Sequence, residues 1–109
     1  MYDRHERLAL NEALFRNANE RIRDHAHEHG ADGGTITFYC ECSDRDCVER
    51  VEMNGPEYEV IRSDPTQFVV LPGHLRLEVE EVVRRAPEFL VVRKIGSAAE
   101  LAVEQDPRG

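Results

Sequence analysis

The sequence is poor in aromatic residues, and it contains no tryptophan. Aromatic residues make up 6% of the 109 positions, apolar residues 40% and charged residues 33%. These proportions are typical of an ordinary, well-hydrated globular protein rather than a membrane or fibrous one. A chain of this length forms one domain with a modest core. We therefore expect a single domain over residues 1–109.

Basic residues are also scarce. The chain contains 14 Lys and Arg residues and 22 Asp and Glu residues, which gives a formal charge of −8. A protein that binds nucleic acid directly usually shows clustered Lys and Arg against the phosphate backbone. Direct binding to nucleic acid is therefore disfavoured, and we expect another protein as the partner.

Long apolar runs are missing. No stretch approaches the ~20 residues of a membrane-spanning helix, and MYDRHERLAL lacks the basic and apolar segments of a secretory signal. These features predict a cytoplasmic protein without a membrane partner.

Cysteine is scarce, yet all three cysteines lie within eight residues, in YCECSDRDC. An odd number of cysteines in a reducing compartment does not indicate a disulfide framework, so metal or redox chemistry remains. Cys40, Cys42 and Cys47 have C-x-C-x4-C spacing, and the turn formers SDRD can bring the third thiolate back to the first two. Tetrahedral zinc needs a fourth ligand.

His74 is the predicted fourth ligand of a Zn²⁺ site. It ends the turn PGH after the apolar run QFVVL, where Gly73 permits a close backbone approach. The segment HAHEHG offers alternatives, because His25 and His29 share one helix face. However, histidines in a last helical turn are also explained by the helix dipole.

The coarse pattern predicts an α+β fold in which a long N-terminal helix packs on a small, mainly antiparallel sheet with a zinc-binding hairpin. Helical periodicity runs from Asp3 to His29, with Leu8, Phe15 and Ile22 at seven-residue intervals. Asp3 and Glu6 resemble a capping box, and Gly30 fits the left-handed residue that ends a helix. The predicted layout is listed by range: helix 1–30, sheet with a short helix 35–95, and flexible tail 105–109.

Within that sheet, TITFYC and CVERVEM predict a hairpin whose bend holds the cysteines, and QFVVL predicts a buried strand. The segment PEYEVIRSD predicts a short helix with Tyr58, Val60 and Ile61 inward. Residues 77–85 are compatible with a helix or a strand, and their β-branched residues favour a second hairpin with residues 89–95. SAAELAVEQ predicts a closing helical turn.

Two resemblances follow from these segments. The spacing of Cys40, Cys42 and Cys47 is similar to the post-SET zinc motif, over eight residues only, which implies ligand geometry and no methyltransferase activity. More broadly, NEALFRNANERI, FYCECSDRDCVERVEM, EYEVIRSDPTQFVVLPGH and FLVVRKIGSAAEL resemble a family of short, acidic bacterial proteins of unassigned activity. That resemblance implies that the cysteines and the PGH histidine form one site, and it implies no reaction.

The function predicted is that of a small non-enzymatic protein, a regulatory or protein-interaction module with a structural Cys3His zinc site. Three thiolates and an imidazole leave no open position on zinc, and no nucleophile elbow, P-loop or dinucleotide fingerprint is present. No catalytic residue is assigned, because the acids near the ligands, Glu41, Asp44, Asp46 and Glu49, alternate with polar residues as in a solvated loop. A thiol-based redox or metal sensor is the first alternative, and a zinc hydrolase is the less favoured one. Unpaired strand edges are compatible with a homo-oligomer.

Overall fold

A computed structural model describes residues 2–108, in which three helices and five strands form an α+β fold, as predicted. In chain order the elements are α1 (Arg4–Glu28), β1 (Ile36–Tyr39), β2 (Arg50–Met53), α2 (Gly55–Arg62), β3 (Gln67–Val70), β4 (Glu80–Arg85), β5 (Leu90–Lys94) and α3 (Gly96–Glu104).

Helix α1 begins and ends where its sequence signals predict. The Asp3 side chain accepts a hydrogen bond from the Glu6 amide at 2.8 Å, and the Glu6 carboxylate accepts one from the Asp3 amide at 3.2 Å. These two bonds form the predicted capping box and satisfy amides that a helix start leaves free. After the helix, Gly30 adopts φ +66°, the left-handed conformation that ends a helix and that glycine adopts at little cost.

The strands form two separate antiparallel sheets. Strands β1 and β2 pair from Ile36 opposite Met53 to Tyr39 opposite Arg50. Strand β5 lies between β3 and β4 in the second sheet. The hairpin interpretation of residues 77–95 is therefore confirmed, although its first strand starts only at Glu80.

The apolar core lies between the helices and the inner faces of both sheets. Helix α2 contributes Tyr58 and Ile61, both fully buried, and the Tyr58 ring stacks on Phe38 with centroids 4.4 Å apart. The prediction that Val60 points inward is wrong, because its side chain is 61% exposed. Val60 lies between two inward residues on a helix with a turn of 3.6 residues, so it faces outward.

The buried face of α1 differs from its apolar stripe. Leu14, which lies beside that stripe, is 56% exposed, whereas Glu12, Arg16 and Asn19 are fully buried. Helix α1 lies against α3, and the backbone oxygen of Ala102 in α3 accepts a hydrogen bond from Arg16 Nη2 at 2.8 Å. Close helix packing and specific polar partners, rather than a continuous apolar stripe, therefore decide which face of α1 is buried.

Several charged groups are buried in pairs. The Lys94 ammonium contacts both Glu12 and Glu80, and all three side chains are almost fully shielded from solvent. Elsewhere, buried Arg62 donates to Glu20 at 2.8 Å. Buried charges of this kind persist only when paired, because an isolated ion loses several kcal/mol of hydration. These contacts attach α1 to the strands and helices that follow it.

Helix α3 is longer than the single closing turn predicted from SAAELAVEQ, since it runs for nine residues. The predicted flexible tail includes Gly109, which lies outside the described residues. The earlier part of the tail is docked: Asp106 pairs with Arg62, and Arg108 donates to Glu20 and Glu59. In the described part of the chain, no helix combines the length and apolarity that a membrane span needs.

Candidate metal centre

The three cysteines lie on the connection between β1 and β2. Cys40 directly follows β1, and its amide still donates to the Glu49 carbonyl at 3.2 Å, which continues the hairpin by one pair. Asp44 then forms the turn: its carbonyl accepts from the Cys47 amide at 3.0 Å and its carboxylate accepts from the Asp46 amide at 3.0 Å. The loop SDRD therefore brings Cys47 back toward Cys40, as predicted.

His74 lies on the turn after β3, in the neighbouring sheet. Its amide donates to the Leu71 carbonyl at 3.0 Å, and Gly73 inside the turn adopts φ +88°. A residue with a Cβ rarely adopts that conformation, so glycine is what permits the tight turn. The turn presents the imidazole to the cysteine loop.

The four predicted side chains converge. One ligand atom from each of Cys40, Cys42, Cys47 and His74 lies within 4.8 Å of all the others. His74 Nδ1 lies 3.7 Å from both the Cys40 and the Cys47 sulfur. The three cysteines are free of disulfide bonds.

These spacings fit a tetrahedral ion. With Zn–S bonds of ~2.3 Å and Zn–N bonds of ~2.05 Å, tetrahedral angles place a sulfur and a nitrogen about 3.6 Å apart, and two sulfurs about 3.8 Å apart. The observed 3.7 Å between His74 Nδ1 and each of the two sulfurs agrees with the first value. Separations within the group extend to 4.8 Å, so the widest of them would shorten by about 1 Å around a tetrahedral ion.

The pKa values of the three thiols are shifted in different directions. A hydrogen bond with Cys40 is the main cause that lowers the pKa of the Cys42 thiol to about 5. The same bond, followed by burial, raises the pKa of Cys40, and burial raises the pKa of Cys47. A metal ion binds thiolates, so its binding displaces protons and strengthens as pH rises.

Backbone groups also favour negative charge on one sulfur. The Leu71 amide donates to the Cys40 sulfur at 3.3 Å. Hydrogen bonds to the charged form of a group stabilise that form. Leu71 belongs to the same turn as His74, so one short segment supplies both a ligand and a bond that supports another ligand.

Glu41 points away from the cysteines and into the core, where it is 0% exposed. Its carboxylate accepts from Tyr58 Oη at 2.6 Å, from Asn19 Nδ2 at 2.8 Å and from the Val69 amide at 3.0 Å. The assignment of Glu41 to a solvated loop is therefore wrong. Alternate side chains of an extended segment point to opposite sides, so flanking cysteines on one side place Glu41 on the other.

Glu41 also attaches the loop to the second sheet. Its amide donates to the Val69 carbonyl at 2.8 Å, while its side chain accepts from the Val69 amide. Both backbone groups on the outer side of Val69 are thereby satisfied. The acidic residues Asp44, Asp46 and Glu49 are exposed, as predicted for the rest of the loop.

Ser43 connects the cysteine loop to α1 and to Arg76. It is buried, its carbonyl accepts from Asn11 Nδ2 at 2.9 Å, and its hydroxyl accepts from Arg76 Nε at 3.0 Å. A cavity of about 310 Å³ adjoins this contact and is lined in part by Cys42 and His74. The site therefore has a buried side at Cys40 and a side that is open to small solutes.

The histidines of α1 lie apart from this group. His25, His27 and His29 are exposed at the end of the helix, and His27 contacts Asp32. The rings of His25 and His29 are 4.2 Å apart, consistent with their shared helix face. Among residues 2–108, the cysteines and His74 form the group of three or more ligating side chains that could hold an ion.

The chain matches no protein-family model, no curated protein and no solved structure. The resemblance to short, acidic bacterial proteins therefore stays a prediction, and the interpretation of the site depends on its geometry.

Proposed function

We propose that the protein is a small, non-enzymatic regulatory or protein-interaction module whose fold is secured by a structural zinc ion. The convergence of Cys40, Cys42, Cys47 and His74 within 4.8 Å is the observation that carries this proposal. The partner is expected to be another protein, because the net charge of −8 opposes direct contact with nucleic acid.

Zinc is favoured by the donor set. Three thiolates and one imidazole form a Cys3His set of four tetrahedral ligands, which is common in structural zinc sites. Magnesium, calcium and manganese prefer carboxylate, carbonyl or water oxygens. The spacing of 3.7 Å between His74 Nδ1 and two of the sulfurs also suits the short bonds of zinc.

A structural role is favoured over hydrolysis for two reasons. Four protein ligands complete the coordination of zinc, so no position remains for a reacting water. A hydrolytic centre also needs a general base beside the ion. The acidic side chain between two of the ligands, Glu41, is turned into the core and is engaged by three donors.

The position of the site indicates what the ion would stabilise. Three ligands come from the connection of the β1–β2 hairpin, and His74 comes from the turn that follows β3 in the other sheet. A bound ion joins the two sheets. In small zinc modules, metal binding contributes an apparent ~10 kcal/mol or more to folding.

The test compares Cys42→Ser with Val48→Ser, a matched substitution at an exposed position of the same loop. Each protein is purified without added metal, and its zinc content and melting temperature are measured. We expect the wild type and Val48→Ser to carry zinc and to melt together, and Cys42→Ser to lose zinc and melt much lower. If Cys42→Ser retains both the zinc content and the melting temperature, the proposal is wrong.

A second candidate, a thiol-based redox sensor, is favoured by the open side of the site. Cys47 and His74 are only partly buried, and the adjoining cavity reaches Cys42. Hydrogen peroxide would oxidise two of the thiolates to a disulfide, take up two protons from solvent and be reduced to two waters, and loss of two ligands would release the ion. Prompt zinc release that dithiothreitol reverses would support the sensor, whereas a site that retains zinc under peroxide supports the purely structural role.

A further inference from the structure

Strand β4 forms one edge of the three-stranded sheet. It is six residues long, the longest strand in the described part of the chain, and it pairs on one side with β5. Within residues 2–108, no strand pairs with its other side. An unpaired edge presents free backbone donors and acceptors, which form a template for another strand.

The charges of β4 change sign along its length. The strand reads EEVVRR, with acidic residues at the start, two valines in the middle and basic residues at the end. An antiparallel second copy reverses this order. Glu81 of one copy would then lie opposite Arg84 of the other, and the same pair would recur at the symmetry-related position.

A bulge in β4 makes this pairing geometrically possible. In a regular strand Glu81 and Arg84, three residues apart, would point to opposite faces. Here the register shifts between Val82 and Arg84, so Glu81 lies opposite Arg93 of β5 and Arg84 lies opposite Val91. Arg93 and Val91 are two residues apart on one strand, so their partners share one face of the sheet.

We propose that β4 pairs with β4 of a second copy about a two-fold axis perpendicular to the sheet, which joins two three-stranded sheets into one of six strands. In an antiparallel pair, residues directly opposite each other point to the same face, and opposite charges at such positions attract. The bulge supplies the shared face, and the sequence supplies the opposite charges. The edge is therefore complementary to itself.

The side chains needed for this contact are accessible. Glu81 and Arg84 are both exposed. Glu81 accepts two bonds from Arg93, and both go to its Oε1 atom. A carboxylate can accept from a second guanidinium at its other oxygen. The Arg84 guanidinium lies over the Phe89 ring, 5.8 Å from its centre.

Apolar side chains next to the edge add a reason for association. Val60 on α2 and Val83 on β4 are exposed, at 61% and 38%. Both line a groove of about 330 Å³ between α2 and the three-stranded sheet, and Arg84 of β4 also lines it. A second copy placed on this edge could cover part of the groove.

The arrangement differs from that of a protected edge. Natural edge strands avoid pairing by means of lysines, inward-pointing charges and bulges. Charges of a single sign would repel a second copy, whereas the order of charges along β4 attracts one. The bulge likewise places the two charges on a common face.

The test uses two charge reversals, Glu81→Arg and Arg84→Glu, in the metal-loaded full chain. Sedimentation velocity over a concentration series measures the dissociation constant of the dimer. Each single variant places like charges opposite each other twice, so we expect each to weaken self-association about tenfold or more. Mixing the two variants restores both attractive pairs, so the mixture should dimerise again.

Two matched controls carry the same charge changes on exposed helical positions, Glu100→Arg on α3 and Arg21→Glu on α1. They should dimerise like the wild type. Zinc content and melting temperature are measured for every variant, since a misfolded variant would also fail to associate.

Three outcomes would overturn the proposal. The first is a wild type that stays monomeric throughout the concentration series. The second is a wild-type dimer that neither reversal weakens, which would place the contact elsewhere. The third is a folded mixture of the two reversals that remains monomeric, which would show that Glu81 and Arg84 do not face each other. None of these outcomes bears on the zinc site.

Discussion

Glu41→Ala should be among the most destabilising substitutions in this protein. Three donors, namely Tyr58 Oη, Asn19 Nδ2 and the Val69 amide, lose their acceptor in a region without solvent access. Leaving a buried donor unsatisfied costs about 1–3 kcal/mol. Since the Tyr58 hydroxyl oxygen can also accept a bond from one of the other donors, we expect a total loss of about 3–6 kcal/mol. Total stabilities of about 5–15 kcal/mol are usual, so this loss is large.

The assay is urea unfolding followed by far-ultraviolet circular dichroism, with zinc in excess so that metal occupancy stays constant. Glu49→Ala is the matched control, because Glu49 lies two residues after Cys47 on the same connection but is exposed. Its effect should stay within about 0.5 kcal/mol. The loss of unfolding free energy in Glu41→Gln should lie between those of Glu41→Ala and Glu49→Ala, because the glutamine NH2 group must face one of the buried donors. A Glu41→Ala protein within about 1 kcal/mol of the wild type would refute the role assigned to this carboxylate.

Two further predictions concern the buried cluster at Lys94. Lys94→Met leaves Glu12 and Glu80 without their shared cation, so we expect a loss of about 3–5 kcal/mol in urea unfolding, and a neutral result would contradict the pairing. Burial raises the pKa of Glu12 from 4.5 to about 7, so folding binds its proton more tightly. Protonation of Glu12 therefore contributes to the free energy of unfolding in full below pH 4.5. This contribution, on the order of 3 kcal/mol, is lost as the pH rises through 7. Glu12→Gln should show a smaller fall in stability than the wild type over that range, and equal slopes would exclude Glu12 as the source.

Local sequence signals were sufficient to predict most of the elements. The capping box at Asp3, the glycine at position 30 and the β-branched runs each act over a few residues, so they can be recognised from neighbours alone. The cysteine loop is similarly local, because its spacing and its turn formers lie within YCECSDRDC. His74 was predicted from its position after a buried strand.

The buried polar groups could not be predicted in the same way. Whether Arg16 is buried depends on acceptors at Pro65 and Ala102, which are 49 and 86 positions further along the chain. Glu41 likewise depends on Tyr58 and Asn19, which come from different helices. From its residue type alone, a charged side chain is predicted to be exposed. Its hydrogen-bond partners are distant in the sequence, so they become visible only in the folded structure.

The division of the strands into two sheets has a consequence for motion. A two-stranded hairpin is marginally stable alone. The β1–β2 hairpin is connected to the other sheet at Glu41, by the bond from the Leu71 amide to Cys40, and through the proposed ion. Chelation should therefore create a unit that opens on its own while the three-stranded sheet stays closed. Amide hydrogens of residues 36–39 and 50–53 would then exchange with solvent much faster than those of residues 90–94. The ion would set the frequency at which one part of the domain separates from the rest.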